Sequence, residues 1–286
     1  MNKITARRQL SENVFRMEVE APLVARARKA GQFVIVMADA ALGERIPLTI
    51  GDADPGRGTI TLVFQAVGAT TMKLSRLQEG DSLSAVLGPL GRPTEIRGEN
   101  GEPPGHVVCV GGGIGVAPMH PIAQALKAAG NRVTVIMGAR NKSLFVMEEE
   151  MRRIAGDDLI LVTDDGSSGR KGLVTDPLKE LCEAGGVDEV IAIGPPVMMK
   201  FCSLATKPFG VKTTVSLNTI MIDGTGMCGG CRVSVGGETK FVCVDGPEFD
   251  GHKVDWDQMA ARMSAFRPEE ALAKEHVCRI GLAGNR

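Results

Sequence analysis

The chain has 286 residues, long enough for two or three domains with cores of their own, and 33 Lys and Arg against 34 Asp and Glu leave a formal net charge of -1. With 43% hydrophobic and 23% charged residues the composition is that of a globular protein, which excludes a disordered chain; without a basic run interleaved with aromatics, nucleic acid is not an expected partner. No apolar stretch approaches the roughly 20 residues of a membrane helix, and the opening MNKITARRQL lacks the apolar core of an export signal, so the expected location is the cytoplasm, away from membranes.

Short β-rich runs come first, at 3–9, 14–20, 32–37, 47–51, 59–65 and 82–87, punctuated by Gly, Pro and Asp turns. Many short strands at close spacing predict an antiparallel β-barrel over residues 1–98. Two pieces of it carry chemistry suited to a dinucleotide. In Arg45-Ile46-Pro47-Leu48-Thr49-Ile50 a guanidinium fork can grip phosphate and Thr49 can donate to a flavin ring. In Val67-Gly68-Ala69-Thr70-Thr71-Met72 a strand runs into a short helix whose free amides suit a pyrophosphate. Taken singly, the first also reads as a solvated surface arginine and the second as an ordinary helix cap.

After a turn-rich linker the period changes, and residues 104–217 alternate strand and helix. Strand-like runs at 106–110, 132–137, 159–163, 189–193 and 212–215, with helical patterns between them, predict a doubly wound parallel α/β domain. The first strand ends in Gly111-Gly112-Gly113-Ile114-Gly115 before a helix running to about residue 129, an arrangement that lets backbone amides approach a pyrophosphate. Pro118 stands where the fingerprint has its third glycine, and the second strand ends in Arg140 instead of the ribose-binding acid, so NAD and NADP are not distinguished. Asp164 ends the third strand and Gly194-Pro195 the fourth, both at carboxyl ends where open α/β sheets place ligands.

Residues 218–286 form a small subdomain with a loop, Asp223-Gly-Thr-Gly-Met-Cys228-Gly-Gly-Cys231, and a further thiol at Cys243. Two thiolates separated by two residues reach one metal centre from a tight turn, and a C-x4-C-x2-C register with a later cysteine is that of a plant-type [2Fe–2S] loop, with Asp223 in the first slot. Structural zinc fits the same spacing, with Asp223 or Cys278 completing the set, so cluster and zinc both stay open here. Seven cysteines, an odd number, argue against a disulfide framework. Cys109, Cys182 and Cys202 fall in apolar patterns and read as packing. From 253 on the chain reads as helix, turn and tail.

The order of these motifs, a barrel with R-x-P-L-T-I and G-x-x-T, then G-G-G-I-G-V-A-P, then G-P-P-x-M-M, then the cysteine loop, resembles the ferredoxin reductase superfamily. Within it, nearly the whole chain is similar to the electron-transfer subunits of dihydroorotate dehydrogenase and the small subunits of NADH-dependent ferredoxin:NADP oxidoreductase, also described as sulfide dehydrogenase small subunits. The resemblance implies FAD in the barrel, NAD(H) in the α/β domain with NADP(H) as the second candidate, and a [2Fe–2S] cluster held by Asp223, Cys228, Cys231 and Cys243. It also implies a large flavoprotein partner with FAD and [4Fe–4S] clusters, ferredoxin reached through the complex, and electron bifurcation. No general acid or base is expected. The superfamily's flavin motif is R-x-Y-S; here Leu48 and Thr49 replace Tyr and Ser, Arg45 lies one residue early, and Ile193 stands where a cysteine often sits. The competing expectations are a dihydroorotate dehydrogenase-like or sulfide dehydrogenase complex, a stand-alone flavin reductase with structural zinc, and a nucleotide-binding module without activity.

Overall fold

The computed structural model describes residues 2–40, 43–99 and 101–283, with backbone alone from 278. Its first layer comprises β1 (Asn2–Ser11), β2 (Val14–Glu20), α1 (Pro22–Ala27), β3 (Phe33–Met37), β4 (Arg45–Asp54), β5 (Thr59–Gln65), α2 (Ala69–Leu74), β6 (Ser82–Leu83) and β7 (Ala85–Leu90). Alternation decides which face of each strand is buried. On β2, Phe15, Met17 and Val19 enter the barrel core with Ile50, Ile60 and Leu62, while Glu18 points outward to Arg57. Each fully buried aliphatic side chain contributes about 2 kcal/mol. The seven strands run in the order β6-β1-β2-β5-β4-β3-β7. Its two edge strands, β6 and β7, are separated in sequence by Ser84 alone, so the sheet curls until its edges meet and the barrel is nearly closed. The single strand expected at 82–87 is therefore two.

The second layer comprises β8 (His106–Gly112), α3 (Val116–Ala128), β9 (Arg132–Ala139), α4 (Glu148–Ala155), β10 (Leu159–Thr163), β11 (Arg170–Lys171), α5 (Thr175–Ala184), β12 (Glu189–Ile193), α6 (Pro196–Thr206) and β13 (Lys212–Ser216). Strand β8 is buried on both faces, as a central parallel strand must be. Val107 and Cys109 pack with α3 residues in one core, and Val108 and Val110 pack with Leu178, Met199 and Cys202 in the other. Burial pushes the Cys109 and Cys202 thiols up to about 12, which leaves them inert.

The remaining chain forms β14 (Arg232–Val235), β15 (Glu238–Phe241), α7 (Val242–Asp245), β16 (Glu248–Asp250), α8 (Trp256–Met263) and α9 (Arg267–Ala283). Strand β16, only three residues long and without an apolar pattern, gave no sequence signal. It adds antiparallel to β13, so the second sheet reads β11-β10-β9-β8-β12-β13-β16. The order reverses direction between β8 and β12, and at that switch point two strand ends and the loops after them open a crevice.

Contacts that join the layers include two hydrogen bonds. His120 on α3 contacts the Gly51 carbonyl of β4, and Thr94 after the barrel donates its hydroxyl to Glu248 on β16 at 2.8 Å. Burial, reinforced by Glu189 and Glu95 and opposed by the Thr94 bond and Lys212, pushes the Glu248 carboxyl from its ordinary 4.5 up to about 7. Between these values the folded chain holds a proton that the unfolded chain has released, so stability falls as pH rises through the window and levels off above it. Glu248→Gln should remove this slope and stabilise the chain above pH 7 by on the order of 2–3 kcal/mol. Urea unfolding between pH 5 and 8 measures it; parallel pH profiles for the two proteins would contradict the assignment.

Candidate functional site

A cleft of about 1160 Å³ opens between the barrel and the carboxyl edge of the parallel sheet. The barrel wall supplies Phe33, Pro47, Leu48, Thr49 and Thr71; the sheet side supplies Gly112, Gly113, Gly115, Arg140, Asp164, Gly194 and Pro195. Eleven of the fifteen residues expected to bind the two nucleotides thus face one space although they span 149 positions of sequence, from 47 to 195.

The other four lie elsewhere. Arg45 pairs with Met37 across β3–β4, and its side chain lines a second hollow of about 390 Å³ on the outside of the barrel, beside Ile35, Leu87, Asp223 and Met227. Arg45 shares its strand face with Pro47 and Thr49, so it misses the cleft by its place along β4, at the end beside the cysteine loop, and not by pointing the other way. The Thr70 hydroxyl is committed to the Glu44 carboxylate at 2.7 Å. Gly68 caps α2, its amide donating to the Thr71 hydroxyl at 3.0 Å. Gly111 is buried, and a Cβ there would lie 2.9 Å from the Val116 side chain, so its glycine serves packing.

The glycines at the switch point divide into two kinds. A Cβ on Gly112 would meet Met198 and one on Gly115 would meet the Ile193 carbonyl, so these two let β8, β12 and the start of α3 pack closely. Gly113 has φ +55 with nothing within 4 Å of the position a Cβ would take. It faces open cleft, where a phosphate can approach the backbone. Arg140 and Asp164 stand exposed at the ends of β9 and β10. Residues absent from the sequence-based expectation also line the cleft: Ser11 at the end of β1, Asn13 in the turn after it, Gln65, and Leu217, Asn218, Thr219 and Met221. No motif marks them, since only the meeting of the layers brings them there.

The cleft fits a polar, elongated ligand by its own chemistry. Four side-chain N or O atoms are buried without a hydrogen-bond partner among the described residues, and both hydroxyls in that set, Ser11 Oγ and Thr219 Oγ1, line this cleft. A buried hydroxyl left unpaired costs roughly 1–3 kcal/mol, so its persistence indicates a partner from outside the chain.

Two residues past Met221 the chain leaves the cleft and forms the cysteine loop on the outer face of the barrel. Gly224, at φ +74, sits so close to β3 that a Cβ would lie 2.7 Å from Ile35 and 2.9 Å from Leu90. Asp223 accepts the Thr225 amide at 3.0 Å and the Cys228 amide at 2.9 Å; the Thr225 bond first, then the Cys228 bond, hold its carboxyl below the usual range. The hairpin β14–β15 carries Cys231 back beside Cys243, both buried, with sulfurs 3.2 Å apart. Burial, and then the neighbouring Cys231 thiol, push Cys243 up to about 12. Amides of Gly230 and Cys243 point at the Cys228 and Cys231 sulfurs, each at 3.4 Å. Soft sulfur donors, a hard carboxylate and amide donors to sulfur form a set suited to an iron–sulfur cluster. Among the described residues no three His, Cys, Asp or Glu groups converge as around a single ion. The Cys278 side chain, the other candidate ligand, lies outside the described residues.

Residues 218–255 match the iron–sulfur cluster binding domain of dihydroorotate dehydrogenase B, and residues 109–203 match the oxidoreductase NAD-binding domain. A protein of Thermotoga maritima named dihydroorotate dehydrogenase B (NAD(+)), electron transfer subunit homolog is 47% identical over 96% of this chain and 95% of its own. The chain belongs to the dihydroorotate dehydrogenase B electron-transfer subunit family. The corresponding subunit of Desulforamulus reducens is 33% identical over 89% of this chain and 97% of its own. A chain in the solved structure of an NADH-dependent reduced ferredoxin-NADP oxidoreductase, described for flavin-based electron bifurcation, superposes with TM-score 0.89 at 45% identity, covering 96% of this chain and 97% of that one. Phthalate dioxygenase reductase, at 17% identity and TM-score 0.56 over 82% of this chain and 85% of that one, shares the fold. The protein is an oxidoreductase electron-transfer subunit with an iron–sulfur cluster-binding domain and an NAD-binding domain. None of its described helices is long and apolar enough to cross a membrane.

Gly224→Ala tests the seating of the loop. It imposes an unfavourable φ and a clash together costing roughly 1–3 kcal/mol, which should lift the loop from β3 and lower iron per chain at least twofold after gel filtration. Iron and acid-labile sulfide equal to wild type would show that the loop does not need this close approach.

Proposed function

We propose that the chain takes hydride from NADH and delivers electrons singly to a larger flavoprotein partner, in a complex of the electron-bifurcating ferredoxin:NADP oxidoreductase type. The observation that carries this reading is one continuous stretch: Met221 lines the cleft, and Asp223, two residues on, begins the cysteine loop. Nicotinamide supplies two electrons as hydride, a cluster accepts one, and a flavin exchanges either. Everything else falls to the polypeptide. Pro47, Leu48, Thr49 and Thr71 hold FAD against the barrel, and Gly112, Gly113, Gly115, Arg140, Asp164, Gly194 and Pro195 seat the nicotinamide nucleotide across from it. Asp223, Cys228, Cys231 and Cys243 grip the cluster. No side chain need move a proton as general acid or base; the task is to position two rings and exclude water between them.

The partner face lies around the loop. Met227 is 89% exposed, with Ile222 and Val244 exposed near the accessible Cys228. Apolar side chains in open solvent around a redox site suit a protein surface that excludes water from the electron path. The partner in this reading carries further FAD and [4Fe–4S] clusters and passes electrons to ferredoxin and NADP(H) in the cytoplasm. A second reading, service to a dihydroorotate-oxidising partner, is favoured by the name of the Thermotoga maritima relative.

Anaerobic purification from the native source should yield a complex with flavin bands, broad iron–sulfide absorption, and more than two iron and two sulfide per copy of this chain, since the partner's clusters add to its own [2Fe–2S]. NADH- and NADPH-dependent ferredoxin reduction by that complex, without dihydroorotate oxidation, supports the first reading, and the reverse pattern supports the second. A colourless, iron-free chain that takes up no FAD would exclude both; flavin bands alone would indicate a reductase stapled by zinc.

A further inference from the structure

The stretch Leu217–Met221 joins the end of β13 to the cysteine loop and is fixed at both ends. The Leu217 amide donates to the Pro247 carbonyl at 2.9 Å, and the Met221 side chain packs in the same core as Phe33, Ile35 and Leu90 of the barrel. Between these anchors, Thr219 lines the cleft, and its hydroxyl oxygen is buried with no hydrogen-bond partner among the described residues. An unpaired hydroxyl there destabilises the empty protein, and an isosteric methyl would not.

From this we infer that Thr219 is a positioning residue for the flavin, its hydroxyl donating a hydrogen bond to an acceptor on the polar edge of the isoalloxazine ring. The inference rests on the FAD reading above and adds a contact outside the barrel motif. One argument selects the flavin over the nicotinamide carboxamide, which also offers an acceptor. A substrate that departs each turnover would leave a water-excluded hydroxyl orphaned for much of the cycle, whereas a resident ring satisfies it throughout. A donor at that edge favours the ring more as it gains electron density, so the hydroxyl should raise the flavin potential.

The test uses the full-length, FAD-reconstituted chain as wild type, Thr219→Val and Thr219→Ser. The valine variant, with its buried hydroxyl gone, should be at least as heat-stable as wild type when stripped of FAD. Its flavin midpoint should fall by about 30 mV, a tenfold loss of preference for the two-electron reduced form. Thr219→Ser should restore the wild-type midpoint. An unchanged midpoint and unchanged FAD affinity in the valine variant, in a wild-type background that binds FAD normally, would overturn this inference and leave the functional reading standing. A raised KM for NADH with an unchanged midpoint would overturn it too, because the hydroxyl would then serve the nicotinamide. A wild-type chain that takes up no FAD would remove both the inference and the reading beneath it.

Discussion

A methyl group on Gly194 would lie 3.1 Å from the Cα of Gly112, and the site depends on that closeness. The ends of β8 and β12 can meet only because neither carries a side chain where they touch. Their meeting sets the apex of the crevice at the switch point of the sheet, with Gly115 pressed against the Ile193 carbonyl behind it. A glycine-rich sequence at a strand end is commonly explained by ligand approach alone. Here most of those glycines serve strand–strand and helix–strand contact, and Gly113 is the position left open to a ligand.

From that apex the architecture imposes a division of labour. The barrel offers a wall formed by residues 47–49 of β4, the parallel sheet offers its carboxyl edge, and the two are held at a fixed separation by α3 against β4 and by Thr94 against Glu248. The stretch after β13 then runs along the cleft and out onto the barrel, so nucleotide chemistry and cluster chemistry share one length of backbone. The short path from cleft to cysteine loop follows from chain connectivity, Met221 lining the one and Asp223 beginning the other.

The strongly periodic parts of the sequence were legible. Strands β2, β5, β8, β10 and β12 lie where alternation or a short apolar run placed them, because those side chains enter one core or both. Strands β11 and β16 were not, being two and three residues long and dependent on a neighbour for every ladder bond. Among the site residues, the glycine-rich turn and the cysteine spacing were visible because backbone chemistry dictates those residue types locally. Arg45 lies outside the cleft for a geometric reason: it shares a strand face with Pro47 and Thr49 but stands at the start of β4, and only its pairing with Met37 shows that this end lies beside the cysteine loop.

The sequence by itself determined the element types and the barrel-then-α/β order, since these depend on residue character and spacing along the chain. Tertiary structure alone decided that Ser11 and Thr219 carry unpartnered hydroxyls into one cleft, that burial raises the Glu248 carboxyl well above its ordinary range, and that Arg45 lies beside the loop and not in the cleft. Each of those facts is set by which groups lie a few ångströms away through space. Residues more than a hundred positions apart supply those neighbours, and no local pattern encodes them.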